Sequence, residues 1–396
     1  MSYAISPQKP KRFSLVRLAI AAGTGTREDD SPSSFATGAA YYAERDVTLI
    51  GVTLWWKRAS GTSSDSVKAS AWQASGGNTV RAASKTSTVA VDGGVQFIFA
   101  TPILVAAGTT ITLSCYGGAI QCRVPMGSSA VGVPDLFASK AIHCGDGIML
   151  ADSAMVGTGD VIPAHSGSFV ASQIFGAVEP ILLGDPVNTP RTLWIEGDSI
   201  SAGLGTLPYS SLIVYGDGST VKNEAVSGAT LAFTAQAASY VIGSNLTALL
   251  AAYDASSPRD VVINAGTNDA YYSGATVGTA AAVGATVAAS LWSIVDAVRA
   301  ACPNDRIWVV TQIARNNWST AGNYSGSVAP YNTALSTYNA AMRAGAAAHG
   351  ASVIDAAADA RFTDSTRLDI YQSDQCHPNL NGQKAMAHII ASALGL

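Results

Sequence analysis

The sequence predicts two parts: an antiparallel β-sandwich, then a layered domain with a parallel sheet covered by helices. Three observations predict it. From Phe13 to about Leu182, apolar residues alternate with period two, and no helix-length segment of period 3.6 interrupts them. From Pro190 onward, short apolar runs alternate with long Ala-rich stretches of helical character. Between the two lies "EPILLGDPVNTP" (179–190), whose prolines mark a linker.

In the first part, the strands are 46–58, 66–74, 95–105 and 109–116, separated by clusters such as "SGTSSD" and "SGGN". Short strands with turn signals at this spacing suit an antiparallel sandwich. In the second part, the strands are 192–196, 260–266, 306–312 and 351–355, with a shorter fifth near 220–224. The helices are 232–253, 278–301, 329–349 and 380–394. Strands buried on both faces read as apolar runs, and helices must cover them. The expected layout is an N-terminal arm (1–30), a β-sandwich (31–182), a linker (183–190) and a catalytic-type α/β domain (191–396).

Bulk properties narrow the function classes. With 48% hydrophobic and 13% charged residues, the 396-residue chain has material for sizeable cores and little for disorder. A net charge of -4 gives no electrostatic reason to expect nucleic acid. Nothing approaches the ~20 apolar residues of a membrane span. Lys9, Lys11 and Arg12 precede a short apolar stretch, as in a signal peptide, but Arg17 interrupts it. The five cysteines contain no CxxC pair, so a zinc knuckle is not expected. Cys115 and Cys122 are spaced to bridge a hairpin, and five reduced thiols is the equal alternative.

The chemistry centres on "RTLWIEGDSISAGLG" (191–205), in which a strand runs into Gly-Asp-Ser. Gly-Asp occurs four other times in this Gly-rich chain, so Ser199 needs partners before it counts as a nucleophile. Three stretches supply them: "NEAVSGATL" (223–231), "NAGTNDAYY" (264–272) and "SDQCHPNLNGQKA" (373–385). The first two follow strands and the third precedes the last helix. In a parallel sheet, working groups gather at the carboxyl ends of the strands. Ser hydrolysis of an ester needs a base, a group to orient that base, and donors for the oxyanion. His377 is the base, and Asp374, three residues upstream, reaches its imidazole on a turn-like backbone. No His, Cys or acidic cluster has metal-ligand spacing, and no metal or cofactor is expected. G-x-S-x-G is absent.

Together with "GDSISAG", these blocks resemble, in order, those of the SGNH/GDSL hydrolase family over about 190–396. The resemblance implies a three-layer α/β/α, flavodoxin-like SGNH hydrolase domain with a five-stranded parallel sheet. It implies a Ser199, His377 and Asp374 triad and an oxyanion hole of the Ser199 N–H, the Gly228 N–H and the Asn268 amide. Gly228 suits that role because a residue without Cβ lets its N–H approach closely. Glu196 departs from the family, which carries an apolar or aromatic residue there; its carboxylate either acts on His377 or points away. Asp198 and Asp269 are expected to make local structural bonds. Cys376 is expected to diverge from its neighbour His377, and His388 to be a packing residue. His143, His165 and His349 sit at no ligand spacing.

Residues 49–116, with the P-x-x-V-x-A-G-T-T-x-T-L pattern at 102–113, resemble a β-sandwich domain that accompanies bacterial extracellular glycan-acting modules. Trp55, Trp56 and Trp72 are its candidate stacking residues. In the second part, the loop 315–331 carries aromatics, and Tyr271, Trp318 and Tyr324 are candidate substrate contacts; a packed surface loop is the alternative. Two functions of different class follow. One is an esterase removing O-acetyl groups from a polysaccharide or small ester, acting outside the cytoplasm. The other is a structural or adhesive virion protein (phage tail or fibre), trimeric if fibre-like, whose SGNH domain is an accessory deacetylase or a glycan binder.

Overall fold

A computed structural model describes residues 36–43, 45–58, 65–75, 78–117, 120–121, 142–150, 161–162, 178–231, 246–271, 286–315, 329–363, 368–374 and 376–396. The expected N-terminal arm, Cys122, His165, Trp318 and Tyr324 lie outside these residues. The chain divides into two compact units, the second comprising Val91–Gly93 and Asn188–Leu396.

The first unit is built of antiparallel strands. They are β1 (Ala36–Ala43), β2 (Val47–Arg58), β3 (Asp65–Ser75), β4 (Asn78–Val89), β5 (Gly93–Val105), β6 (Thr110–Gly117), β7 (Ile120–Gln121), β8 (Ile142–Leu150), β9 (Val161–Ile162) and β10 (Val178–Leu182). One sheet runs β8-β1-β6-β3-β4-β9, and its strand pairs are antiparallel. Neighbours in a second sheet run β10-β2-β5. In β3, Val67, Ala69 and Ala71 are buried, the period-two face that the sequence shows. The register shifts between Ala71 and Trp72, and Trp72 is 1% exposed. A buried indole offers no stacking platform, so Trp72 is a core residue rather than a sugar contact. Strand β4 was not foreseen, because its Ser, Thr and Lys residues hide the alternation. Residues 179–182 of the expected linker stretch belong to β10, paired with β2.

The second unit contains the parallel sheet. Its strands are β11 (Thr192–Gly197), β12 (Val214–Gly216), β13 (Thr220–Asn223), β14 (Arg259–Asn264), β15 (Arg306–Val310) and β16 (Ser352–Ile354). Five of them form a sheet in the order β13-β11-β14-β15-β16, parallel throughout. Numbered by appearance in that sheet, the order is 2-1-3-4-5, which reverses between β11 and β14 and opens a crevice at their carboxyl ends. All six residues of β14 are buried, as a central parallel strand requires.

The helices are α1 (Ser199–Ala202), α2 (Leu246–Ala251), α3 (Thr267–Tyr271), α4 (Val287–Ala301), α5 (Ala329–Gly345), α6 (Ala360–Thr363) and α7 (Leu380–Leu394). On one face, Val261, Ile263, Ile307 and Val309 share a core with Leu291, Val295 and Val298 of α4 and Met342 of α5. Helix α7 packs beside β16 and the 3-10 turn Tyr209–Leu212. Thr286 caps α4 by accepting the Ala289 N–H, and Asn379 caps α7 by accepting those of Asn381 and Gly382. Among the described residues, no helix is long and apolar enough to cross a membrane.

Candidate active site

Strand β11 delivers Ser199 to the edge of the sheet, and its last residue must be Gly. A Cβ on Gly197 would lie 2.8 Å from the Asn264 carbonyl and overlap the Ser201 hydroxyl. Asp198 then caps α1, its Oδ1 accepting the Ile200 N–H at 3.0 Å. This is the local role expected of it. Burial pushes the Asp198 carboxyl up to about 7, against the Ile200 N–H and the nearby Arg315. Gly203, in the left-handed region at φ 71°, ends the turn.

His377 reaches Ser199 from the loop before α7. Its Nε2 lies 2.8 Å from the Ser199 Oγ, and its Nδ1 lies 2.5 Å from Asp374 Oδ2. The other carboxylate oxygen of Asp374 accepts the backbone N–H groups of Cys376 and His377, both at 3.0 Å. One side chain thus shapes the turn and orients the imidazole. Burial raises the Asp374 pKa, but the bonds from the His377 ring and the two backbone N–H groups outweigh it and hold the carboxyl below the usual range.

The third group comes from β14. Gly266, at φ 121°, passes against the Tyr338 ring, where a Cβ would overlap it. Asn268 follows on α3, and its Nδ2 donates to the Ala229 carbonyl at 2.9 Å. A primary amide has a second hydrogen to give. Asp269 Oδ2 accepts the Leu231 N–H at 2.8 Å, which ties the 228–231 turn to α3. Gly228 has φ 81°, and among the described residues nothing lies within 4 Å of a Cβ position there.

Several expectations change. Cys376 does not diverge from its neighbour: its Sγ lies 4.0 Å from His377 Nε2. Burial pushes its thiol up to about 12, so it stays protonated at neutral pH. Glu196 points away from the site and accepts the Trp194 indole N–H at 2.6 Å. His388 is exposed rather than packed. His349 stacks on Trp292 at 4.7 Å and its Nδ1 lies 2.8 Å from Asp296. Tyr271 ends α3, and the described residues carry its backbone only. Among the described residues, no cluster of three His, Cys, Asp or Glu is arranged to hold a metal.

A second layer was missed by the sequence reading. Gln383 of α7 donates to the Ile200 carbonyl at 2.8 Å, and Gln372 to the Leu204 carbonyl at 2.5 Å and the Pro378 carbonyl at 3.2 Å. These bonds join the Ser199 segment to the His377 loop. Beneath Ser199, the Ser201 hydroxyl receives Tyr209 at 3.1 Å and Asn264 at 3.0 Å, and Gln312 donates to Asn264 at 3.1 Å. A polar residue at the exit of a strand was the available signal for Asn264 and Gln312. Gln372, in a loop, and Gln383, on α7, carry none.

A parallel α/β sheet carrying hydrogen-bonded Ser, His and Asp at its carboxyl edge is a hydrolase-type frame. Residues 196–385 match the model of the GDSL-like Lipase/Acylhydrolase family. No curated protein matches the chain. Among similar solved structures is a phospholipase A1 from Streptomyces albidoflavus, at 19% identity, 52% of this chain, 99% of that chain and TM-score 0.37. An extracellular lipase from Streptomyces rimosus is similar at 20% identity, 51% of this chain, 99% of that chain and TM-score 0.37. A carbohydrate acetylesterase from Sinorhizobium meliloti is similar at 18% identity, 52% of this chain, 98% of that chain and TM-score 0.38.

Proposed function

We propose that the second unit is a serine esterase that removes short acyl groups, O-acetyl foremost, from a carbohydrate or polysaccharide. The observation that carries the reading is the continuous chain of contacts from Ser199 Oγ through His377 to Asp374. The Ser199 hydroxyl attacks the ester carbonyl carbon as its proton passes to His377 Nε2. The negative charge on the former carbonyl oxygen is met by the Ser199 and Gly228 N–H groups and the Asn268 amide. Collapse breaks the bond to the alcohol oxygen, which takes the proton from His377. Water then attacks the acyl-serine as its proton passes to His377 Nε2, and the acyl–Oγ bond breaks as Oγ takes that proton back, releasing the carboxylic acid and restoring Ser199 and neutral His377. Asp374 stays ionised and keeps the imidazole in the tautomer that accepts at Nε2.

The short-chain reading is supported by the polar sequence of the loops that follow the strands, such as 315–331 with its scattered aromatics. Among the described residues of this unit, Leu204 and Val226 are the only large apolar side chains that stand exposed. The test is hydrolysis of p-nitrophenyl esters of graded length and of acetylated sugars by the wild type and Ser199→Ala. Acetate release by the wild type alone is expected. Equal turnover by a folded Ser199→Ala contradicts the mechanism.

A further inference from the structure

The loop that carries His377 is a small hairpin held by its own backbone. The Gln372 N–H donates to the His377 carbonyl at 2.8 Å, the Asn379 N–H donates to the Ile370 carbonyl at 2.9 Å, and Tyr371 pairs with Pro378 in an antiparallel bridge. The turn that carries Ser199 is also closed by backbone, the Leu204 N–H donating to the Ser199 carbonyl at 3.0 Å. The Gln372 side chain crosses between the two. Its Nε2 donates to the Leu204 carbonyl at 2.5 Å and to the Pro378 carbonyl at 3.2 Å, although Leu204 and Gln372 are 168 residues apart. Gly205 makes room for it: at φ 73°, a Cβ there would lie 2.7 Å from Gln372 Oε1. The contacts close a ring, from the Ser199 carbonyl to Leu204, to Gln372, to His377, and back from His377 Nε2 to Ser199 Oγ at 2.8 Å.

We propose that Gln372 is a positioning residue: its amide sets the register of the His377 hairpin on the Ser199 turn, and so the distance between imidazole and hydroxyl. The proposal rests on the serine esterase reading above. The chemistry suits Gln in particular. Two carbonyl oxygens, one on each segment, need two hydrogens from one atom, and a primary amide has them. Glutamate has the length but would turn a carboxylate on both carbonyls. The hairpin and the turn keep their backbone bonds without the amide, so its loss costs their alignment rather than the fold of either segment. Misalignment of a base is felt in turnover more than in substrate binding.

The variants are Gln372→Met, which keeps the length and loses both hydrogens, and Gln372→Asn, which keeps the amide on a shorter stem. The readouts are kcat and KM for p-nitrophenyl acetate, melting temperature, and the reactive sites titrated by a fluorophosphonate, so that kcat is expressed per reactive site. Gln372→Met should lower kcat about 10-fold with KM within roughly twofold. Gln372→Asn should fall between it and the wild type, because the shorter stem cannot span both carbonyls. A purely structural brace predicts a lower melting temperature with kcat per reactive site unchanged. Wild-type kcat per reactive site in a folded Gln372→Met therefore overturns the positioning role. If Gln372→Met fails to fold, Gln372→Asn decides: a reduced kcat with unchanged KM supports the role, and wild-type kcat overturns it. A wild type that neither hydrolyses the ester nor takes up the probe overturns the esterase reading itself, and the positioning role with it. An active wild type beside an equally active Gln372→Met overturns the positioning role alone.

Discussion

Asn268 carries the sharpest expectation for a single side chain. One amide hydrogen braces the Ala229 carbonyl and the other is available to an oxyanion. Asn268→Ala should lower kcat by about 10²–10³-fold with a much smaller change in KM, as for loss of one oxyanion donor. A bracing role alone predicts a lower melting temperature with little change in kcat per folded molecule. Steady-state kinetics beside a melting curve separates the two. Asp374 adds a pH signature. Its folded-state pKa is depressed, so its contribution to stability is present above the unfolded value and is lost as pH falls through the folded one. The gap in melting temperature between wild type and Asp374→Asn should therefore be open at neutral pH and close below about pH 4. A constant gap across that range contradicts the bonding described for this carboxylate.

Elements were legible where burial dictates composition. The run "DVVINAG" is buried throughout, its first five residues in β14, and α7 begins and ends where the sequence placed it. Strand β4 and the β10 end of the linker stretch were not legible, because their pairing is decided by distant strands rather than by local pattern. The join between β14 and β15 was equally invisible. The Arg259 guanidinium donates to Asp305 at 3.0 and 2.7 Å and to the Leu249 carbonyl at 2.8 Å, in a pair almost wholly buried. Asp305 also accepts the Arg259 backbone N–H at 3.0 Å. Removing one partner strands the other charge, so Asp305→Ala should cost about 3–5 kcal/mol of unfolding free energy. Chemical denaturation measures this directly, and a loss under roughly 1 kcal/mol contradicts a sealed pair.

At the scale of the whole molecule, the 2-1-3-4-5 order brings Ser199 and Asn268 to adjacent strand ends, and the loop before α7 brings His377 to them. That convergence was readable from four short blocks in the right order. The bonds that hold it, from Gln372 to Leu204 and from Gln383 to Ile200, were not, because each joins residues remote in sequence and neither has a spacing of its own. The short-acyl reading predicts that acetyl esters turn over faster than octanoyl esters; the reverse order in a chain-length series contradicts it. The central claim is that Ser199 is a nucleophile activated by His377. It is tested most directly by intact mass after incubation with a fluorophosphonate, followed by peptide mapping. One adduct on Ser199 is predicted in the wild type, with none in Ser199→Ala and much slower formation in His377→Ala. An unmodified wild type, or an adduct on any other residue, contradicts it.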